Sequence, residues 1–220
     1  MIKRIITALI LLIGLQPAIY VFAQDNGDEP SELRSSFDLR RKSDLDANDL
    51  RATYQNFGLA GSERGEIGDN FIFEFPKNTE RKYMFFVSIF MGAEVTNQQD
   101  GSVLRIVDSP NGRSGPNGES FDLNPIEGYT ASGTDELARS DRPNTWPSTW
   151  PDKPASWNGA WNGFFGRDVF NADQEFFYRA GDDLYTRFSR TGEFRPDSTD
   201  PSRGGLGLIL NARVLAWTQI

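Results

Sequence analysis

Hydrophobic and polar positions along this chain fall into short separated blocks rather than one sustained period. The first block, Ile5–Leu15, is an uncharged apolar run between Lys3-Arg4 and a break at Gln16-Pro17. Residues 24–47, "QDNGDEPSELRSSFDLRRKSDLDA", are charged and nearly free of large apolar side chains, which predicts a flexible N-terminal arm. From Asn48 the pattern changes. "NDLRATYQNFGLAG" alternates and carries aromatics; Leu50, Tyr54 and Phe57 would also share one face of a short helix. Gly58, Gly61, Gly65 and Gly68 follow as turn punctuation and favour the strand. "NFIFEFP" is aromatic and stops at Pro76. "RKYMFFVSIFMGAEV" (81–95) is the most apolar block, with Phe85, Val87, Ile89 and Met91 on one face and Met84, Phe86 and Phe90 on the other. Such a block predicts a strand buried on both sides. The polar "TNQQDG" and the returning "SVLRIVD" (102–108) then complete a hairpin.

Past Asp108 the periodicity fails. Seven of the twelve prolines lie between residues 110 and 154, and Pro and Gly at that density do not sustain regular elements. A long excursion is expected there, with one helical turn at "TDELAR". "DQEFFYRAGDDLYTRF" (173–188) fits helix or strand and is read as strands about a turn at Gly181-Asp182-Asp183, and the closing "LGLILNARVLAWTQI" as a long apolar strand. There is no internal repeat. The pattern predicts an all-β, antiparallel, sandwich-like domain over 48–220, with a long Pro/Gly/Trp-rich loop over one face or edge. An apolar strand at the chain end invites edge pairing, so the domain is expected to be truncated there, as the N-terminal piece of a longer protein. A terminal strand tucked inside a sheet is the rival reading.

The N-terminal block has the layout of a signal peptide over residues 1–23, with Val21 and Ala23 as the small residues before cleavage. The competing reading is a retained anchor, because residues 5–23 are uncharged and approach the roughly 20 residues that span a bilayer. Pro17 and the polar stretch that follows favour cleavage. Export to the cell surface or beyond follows. Losing Lys3 and Arg4 takes the formal net charge from −8 to −10. A chain this acidic has no electrostatic footprint for nucleic acid, and none for a membrane beyond the signal peptide. An extracellular glycan or protein is the expected partner.

Composition removes most chemistry. There is no Cys and no His, which excludes Ser-His-Asp and Cys-His catalysis, disulfides, and the imidazole and thiolate ligation of zinc, copper and haem. Carboxylates remain. Calcium is the one cofactor they suggest, and Asp168, Asn171, Asp173 and Glu175 place oxygens at close spacing that could converge on it. The EF-hand pattern fails, with Phe176 where its glycine belongs, and turn capping is the plainer role. Asp173 and Glu175 are also the nearest thing to an acid–base pair, but no catalytic residue is singled out by sequence. The glycines at 58–68 lead into "FIFEFP", not a helix, so they are no dinucleotide fingerprint.

Four of the five tryptophans, Trp146, Trp150, Trp157 and Trp161, sit in "TWPSTWPDKPASWNGAWNG". Exposed, they would stack on the CH faces of sugars, with nearby Asn and Asp taking the hydroxyls. Buried, each would act as a staple that removes about 150–250 Å² from water and contributes a few kcal/mol at about 25 cal/mol per Å². A Pro/Gly-rich loop without a hydrogen-bonded ladder needs such staples, which favours the second role.

Taken in order, "NDLRATYQNFGLAG", "FIFEFPKNTERKYMFFVSIFMGAEV", "GSVLRIVD", "NTWPSTWP…WNGAWNGFFG" and "FNADQEFFYRAGDD" resemble the N-terminal region of large, functionally uncharacterised exported proteins of Gram-negative bacteria. These often carry fibronectin-type-III-like modules and a type IX secretion sorting domain. The resemblance implies export, a β-rich fold and a longer parent chain, and brings no catalytic residue. The expected function is that of a non-catalytic extracellular module, structural, adhesive or glycan-binding. The alternative is the N-terminal part of a carboxylate-dependent glycan-active enzyme.

Overall fold

The computed structural model describes residues 19–21, 33–61, 70–108 and 122–218. It is built from antiparallel strands with one short helix. In chain order the strands are β1 (Ile19–Val21), β2 (Lys42–Leu45), β3 (Ala52–Gln55), β4 (Leu59–Gly61), β5 (Phe86–Ser88), β6 (Met91–Thr96) and β7 (Val103–Asp108). There follow β8 (Asn124–Pro125), β9 (Ala138–Arg139), β10 (Asn162–Gly163), β11 (Gly166–Arg167), β12 (Gln174–Gly181), the helix α1 (Arg187–Thr191) and β13 (Ile209–Ala216). One sheet runs β1-β13-β12-β8 with β9 also on β12; the second runs β2-β3-β4-β5. β6 and β7 form the expected hairpin, in register from Met91↔Asp108 to Thr96↔Val103, and β10 and β11 form a smaller one.

The frame is the long pair β12–β13, in register from Gln174↔Ala216 to Gly181↔Ile209. Strand side chains alternate between faces, and β12 uses both faces for packing. Phe176 joins Val214 and Ala216 against Leu45, Ala52, Tyr54 and Ala60 of the second sheet, with Phe73 beside them, which makes the sandwich. Tyr178 and Ala180 continue that face with Leu123, Leu137, Leu210 and Ala212, closed from outside by Ile89 and Met91. Phe177 points the other way, into Ile126, Tyr129, Ala138, Trp150 and Trp161. All eight residues of β12 are buried. Three layers result: the β2–β5 sheet, the β12–β13 sheet, and the tryptophan loop.

The structure departs from the sequence reading in four places. The arm expected over 24–47 does not reach its C-terminal end: Ser35 bridges Ile126, β2 pairs along β3, and Leu45 is a core residue. Lys42 and Asp44 hide this strand from composition, because only alternate positions, Ser43 and Leu45, face inward. Residues 24–32 of that arm lie outside the described residues, as do 1–18 and 22–23 of the signal peptide. Ile19–Val21, inside that peptide, run antiparallel to Val214–Ala212.

Second, the block 81–95 is not buried on both sides. Tyr83, Met84, Phe85 and Phe90 are exposed, and the doubly buried strand is β12. Third, "DQEFFYRAGDDLYTRF" is one strand followed by a turn and α1. Gly192, at φ 77, ends that helix in the left-handed region and donates its N–H to Phe188 and Ser189 carbonyls. Fourth, the "TDELAR" segment forms no helical turn and ends in β9, where Ala138 pairs with Phe177.

Phe176→Ala should cost about 3–5 kcal/mol, the range for truncating a buried aromatic, while Val107→Ala on the exposed face of β7 should stay within about 0.5 kcal/mol. Equilibrium urea unfolding checks both.

Candidate functional site

The tryptophan loop has the most conspicuous sequence in the chain. Trp150 and Trp161 are 2% and 0% exposed, and Trp146 and Trp157 pack half-buried beside them. Trp161 lies centrally, with ring centroids 5.5 Å from Trp146 and 6.0 Å from Trp150 in an edge-on contact. Trp150 reaches Phe177 at 5.9 Å, which fastens the loop to β12. Three of these indole donors are spent inside the fold: Trp146 Nε1 on the Arg139 carbonyl at 2.7 Å, Trp150 Nε1 on the Ala160 carbonyl at 2.8 Å and Trp161 Nε1 on Glu175 at 3.2 Å. Lys153 Nζ stands 4.9 Å over the Trp157 ring. Burying Trp150 and Trp161 stabilises the loop by about 4–6 kcal/mol each at about 25 cal/mol per Å². Gly163 lets the loop close: a Cβ there would stand 2.1 Å from the Val169 carbonyl oxygen.

The four candidate calcium ligands each carry a hydrogen bond within the fold. Asp168 Oδ1 accepts from Trp161 N at 2.8 Å. Glu175 Oε1 accepts from the N–H groups of Asn171 and Ala172, and its Oε2 takes the Trp161 indole. Asn171 contributes its carbonyl to the Trp217 indole at 3.1 Å. Asp173 Oδ2 accepts from Thr218 N at 2.7 Å, near the end of β13. Asp173 and Glu175 thus accept from different groups. Among the described residues no three carboxylates gather where they could hold a metal ion.

Two arginines complete the buried layer under the loop. Arg179 Nη1 donates to the Tyr129 hydroxyl at 2.7 Å. Arg213 lies 4.1 Å over the Phe177 ring and donates to the Asn162 carbonyl. Burial pulls its guanidinium down to about 10, partly offset by the charges of Glu175 and Asp152. The loop is thus bound to β12 and β13 by rings and by charge together.

A carboxyl pair that sequence does not suggest lies elsewhere. Asp108, the last residue of β7, is 0% exposed, and Asp182, just past β12, is 1% exposed. Asp182 accepts from Leu206 N at 2.6 Å and Leu208 N at 2.9 Å, which holds the loop before β13 against the end of β12. Gly205, at φ 66, is required there, because a Cβ would stand 2.4 Å from the Asp182 carboxyl carbon. Asp108 meets no nitrogen or hydroxyl donor among the described residues; its partner is Asp182. Two facing buried carboxylates cannot both ionise at low cost. Burial first, and then the Asp182 charge, push Asp108 up to about 9, and burial also raises Asp182. Asp108 is therefore the acid that donates to Asp182. The two residues are far apart in sequence, so no local spacing could have signalled them.

The third feature is an apolar strip on the edge of the second sheet. Tyr83, Met84, Phe85 and Phe90 are 68%, 48%, 50% and 63% exposed. Beside them Ile72, Lys82, Tyr83, Met84 and Phe85 line a shallow cleft of about 230 Å³. The signal for this strip is present as the most apolar block after the N-terminal run, but apolarity alone points to burial rather than to a surface.

Comparison with protein-family models, with curated proteins and with solved structures finds no match to this chain.

The acid pair sets a pH dependence. The raised pKa of folded Asp108 means that its neutral form stabilises the fold fully below the ordinary carboxylate pKa, and that this contribution declines as pH climbs towards about 9. Asp108→Asn keeps the neutral shape without the titration. It should melt about 2–4 °C or more above wild type at pH 8, with the advantage gone near pH 4, by calorimetry across that range.

Proposed function

We propose that this chain is an exported, non-catalytic adhesive module that contacts a protein partner through the apolar strip Tyr83–Phe90. The carrying observation is the exposure of Tyr83, Met84, Phe85 and Phe90 in one short stretch. Soluble proteins seldom leave large apolar side chains contiguous in water unless something docks on them. The adjoining cleft has room for one apolar side chain of a partner.

Two further observations support this reading over its rivals. A sugar platform needs open ring faces, and Trp150 and Trp161 are enclosed by Tyr129, Phe177 and one another. A carboxylate-dependent glycan-active enzyme needs two acids in an open cleft, and Asp108 and Asp182 are both closed to solvent. Export is carried by the signal-peptide layout of residues 1–23 and by the resemblance to large exported proteins. Among the described residues no helix is long and apolar enough to cross a membrane.

A phage-displayed peptide library and a glycan array, both probed with the full chain, test the reading. Wild type is expected to enrich extended apolar peptides, with enrichment reduced at least tenfold by Phe85→Glu, about 1.4 kcal/mol of binding. A glycan signal from wild type, with no peptide enrichment, would overturn it.

A further inference from the structure

The apolar strip follows an edge of backbone as well as a row of side chains. In the second sheet β5 is the last strand, and among the described residues no strand pairs with its outer side. Its inner side is fixed by Ala60↔Val87 and by two hydrogen bonds, Ile89 N to the Gly58 carbonyl and Tyr83 N to the Phe73 carbonyl. Along a strand, successive N–H and C=O groups point to opposite edges. With odd-numbered residues turned inward, Phe86 and Ser88 present their N–H and C=O groups outward.

We infer that this edge pairs with the same edge of a second copy of the chain, antiparallel about a two-fold axis at Val87. The inference rests on the adhesive reading above and names its partner. Parity supports it: an axis at Val87 sets Phe86 opposite the partner's Ser88, and in an antiparallel ladder those outward-facing residues form the hydrogen-bonded pairs. Side chains agree in the same register. Tyr83 falls opposite the partner's Met91, Met84 opposite the partner's Phe90, Phe85 opposite the partner's Ile89, and Val87 opposite its own copy. Each of the four most exposed apolar residues of the strip thereby gains an apolar neighbour, the unit of cross-strand stabilisation. Lys82 and Arg81 fall opposite the partner's Gly92 and the partner's Ala93, and the like charges of Glu80 and the partner's Glu94 meet only beyond the apolar match. Shifting the axis to Phe86 would place Lys82 opposite the partner's Phe90 and forfeit that match.

An isologous contact uses one patch twice, so the pairing turns two four-stranded sheets into one continuous sheet. It also caps a long apolar edge that would otherwise be open to uncontrolled association.

Sedimentation velocity of the full chain over a concentration series tests the pairing, with circular dichroism to confirm that each variant folds. Wild type should shift from monomer to dimer as concentration rises. Met84→Lys and Phe90→Glu, both at exposed positions, should each abolish the shift. The double variant should restore it, because each introduced ammonium would then face the introduced carboxylate of the other copy, once on either side of the axis. A wild type that stays monomeric throughout, single variants that still dimerise, or a double variant that stays monomeric would overturn this pairing. Peptide enrichment by a monomeric wild type would leave the adhesive reading standing without it; a dimer lost in both single variants and restored in the double variant, without peptide enrichment, would support the pairing alone.

Discussion

Everything in this fold hangs on a strand that must be covered twice. Gln174–Gly181 pairs with Ile209–Ala216 along its whole length and sends large side chains to both faces. One face is covered in the usual way, by a second sheet carrying Leu45, Tyr54 and Ala60. Among the described residues the other has no sheet of comparable size to lie against. A Pro- and Gly-rich loop takes that place, and such a loop stays down only if its own side chains hold it. The tryptophans are the consequence: Trp150 and Trp161 are the largest fully buried side chains among the described residues. Charged groups enter the same layer because they have partners there, Glu175 on an indole and two backbone amides, Arg179 on a tyrosine hydroxyl, Arg213 over Phe177.

That constraint explains which parts of the molecule are visible in sequence. The Met91–Asp108 hairpin is legible because its information is local: two strands and a polar turn of the right length. The all-β class is legible for the same reason. The stapling role of the loop can be inferred from Trp density among prolines. Burial is not legible. Tyr83–Phe90 is more apolar than Gln174–Gly181, yet it is the second that lies in the centre, with Glu175 and Arg179 inside it. Apolarity tells what a segment would gain from being covered; only the remainder of the chain decides whether a cover arrives. The N-terminal stretch shows the converse. Lys42–Leu45 looks polar in composition, and half of it faces inward because alternate residues do.

The candidate sites divide along the same line. The tryptophans and the acidic residues near them are chemically conspicuous, and the fold has committed them to holding itself together. The surface with unspent capacity is the plainest in chemistry, an edge of Tyr, Met and Phe beside β5. A protein without His or Cys has few reactive groups to offer. It has backbone edges and ring faces, and contact is what those do well.

The buried acid pair has a consequence for the molecule's charge. A formal net charge of −8 counts every carboxyl as ionised, whereas folded Asp108 keeps its proton at neutral pH. The folded chain thus carries one negative charge fewer than its composition implies, and the unfolded chain does not. Unfolding at neutral pH must release that proton to the solvent. The heat absorbed will therefore include the ionisation heat of whichever buffer takes it up, and melts of equal midpoint in phosphate and in Tris will differ in enthalpy.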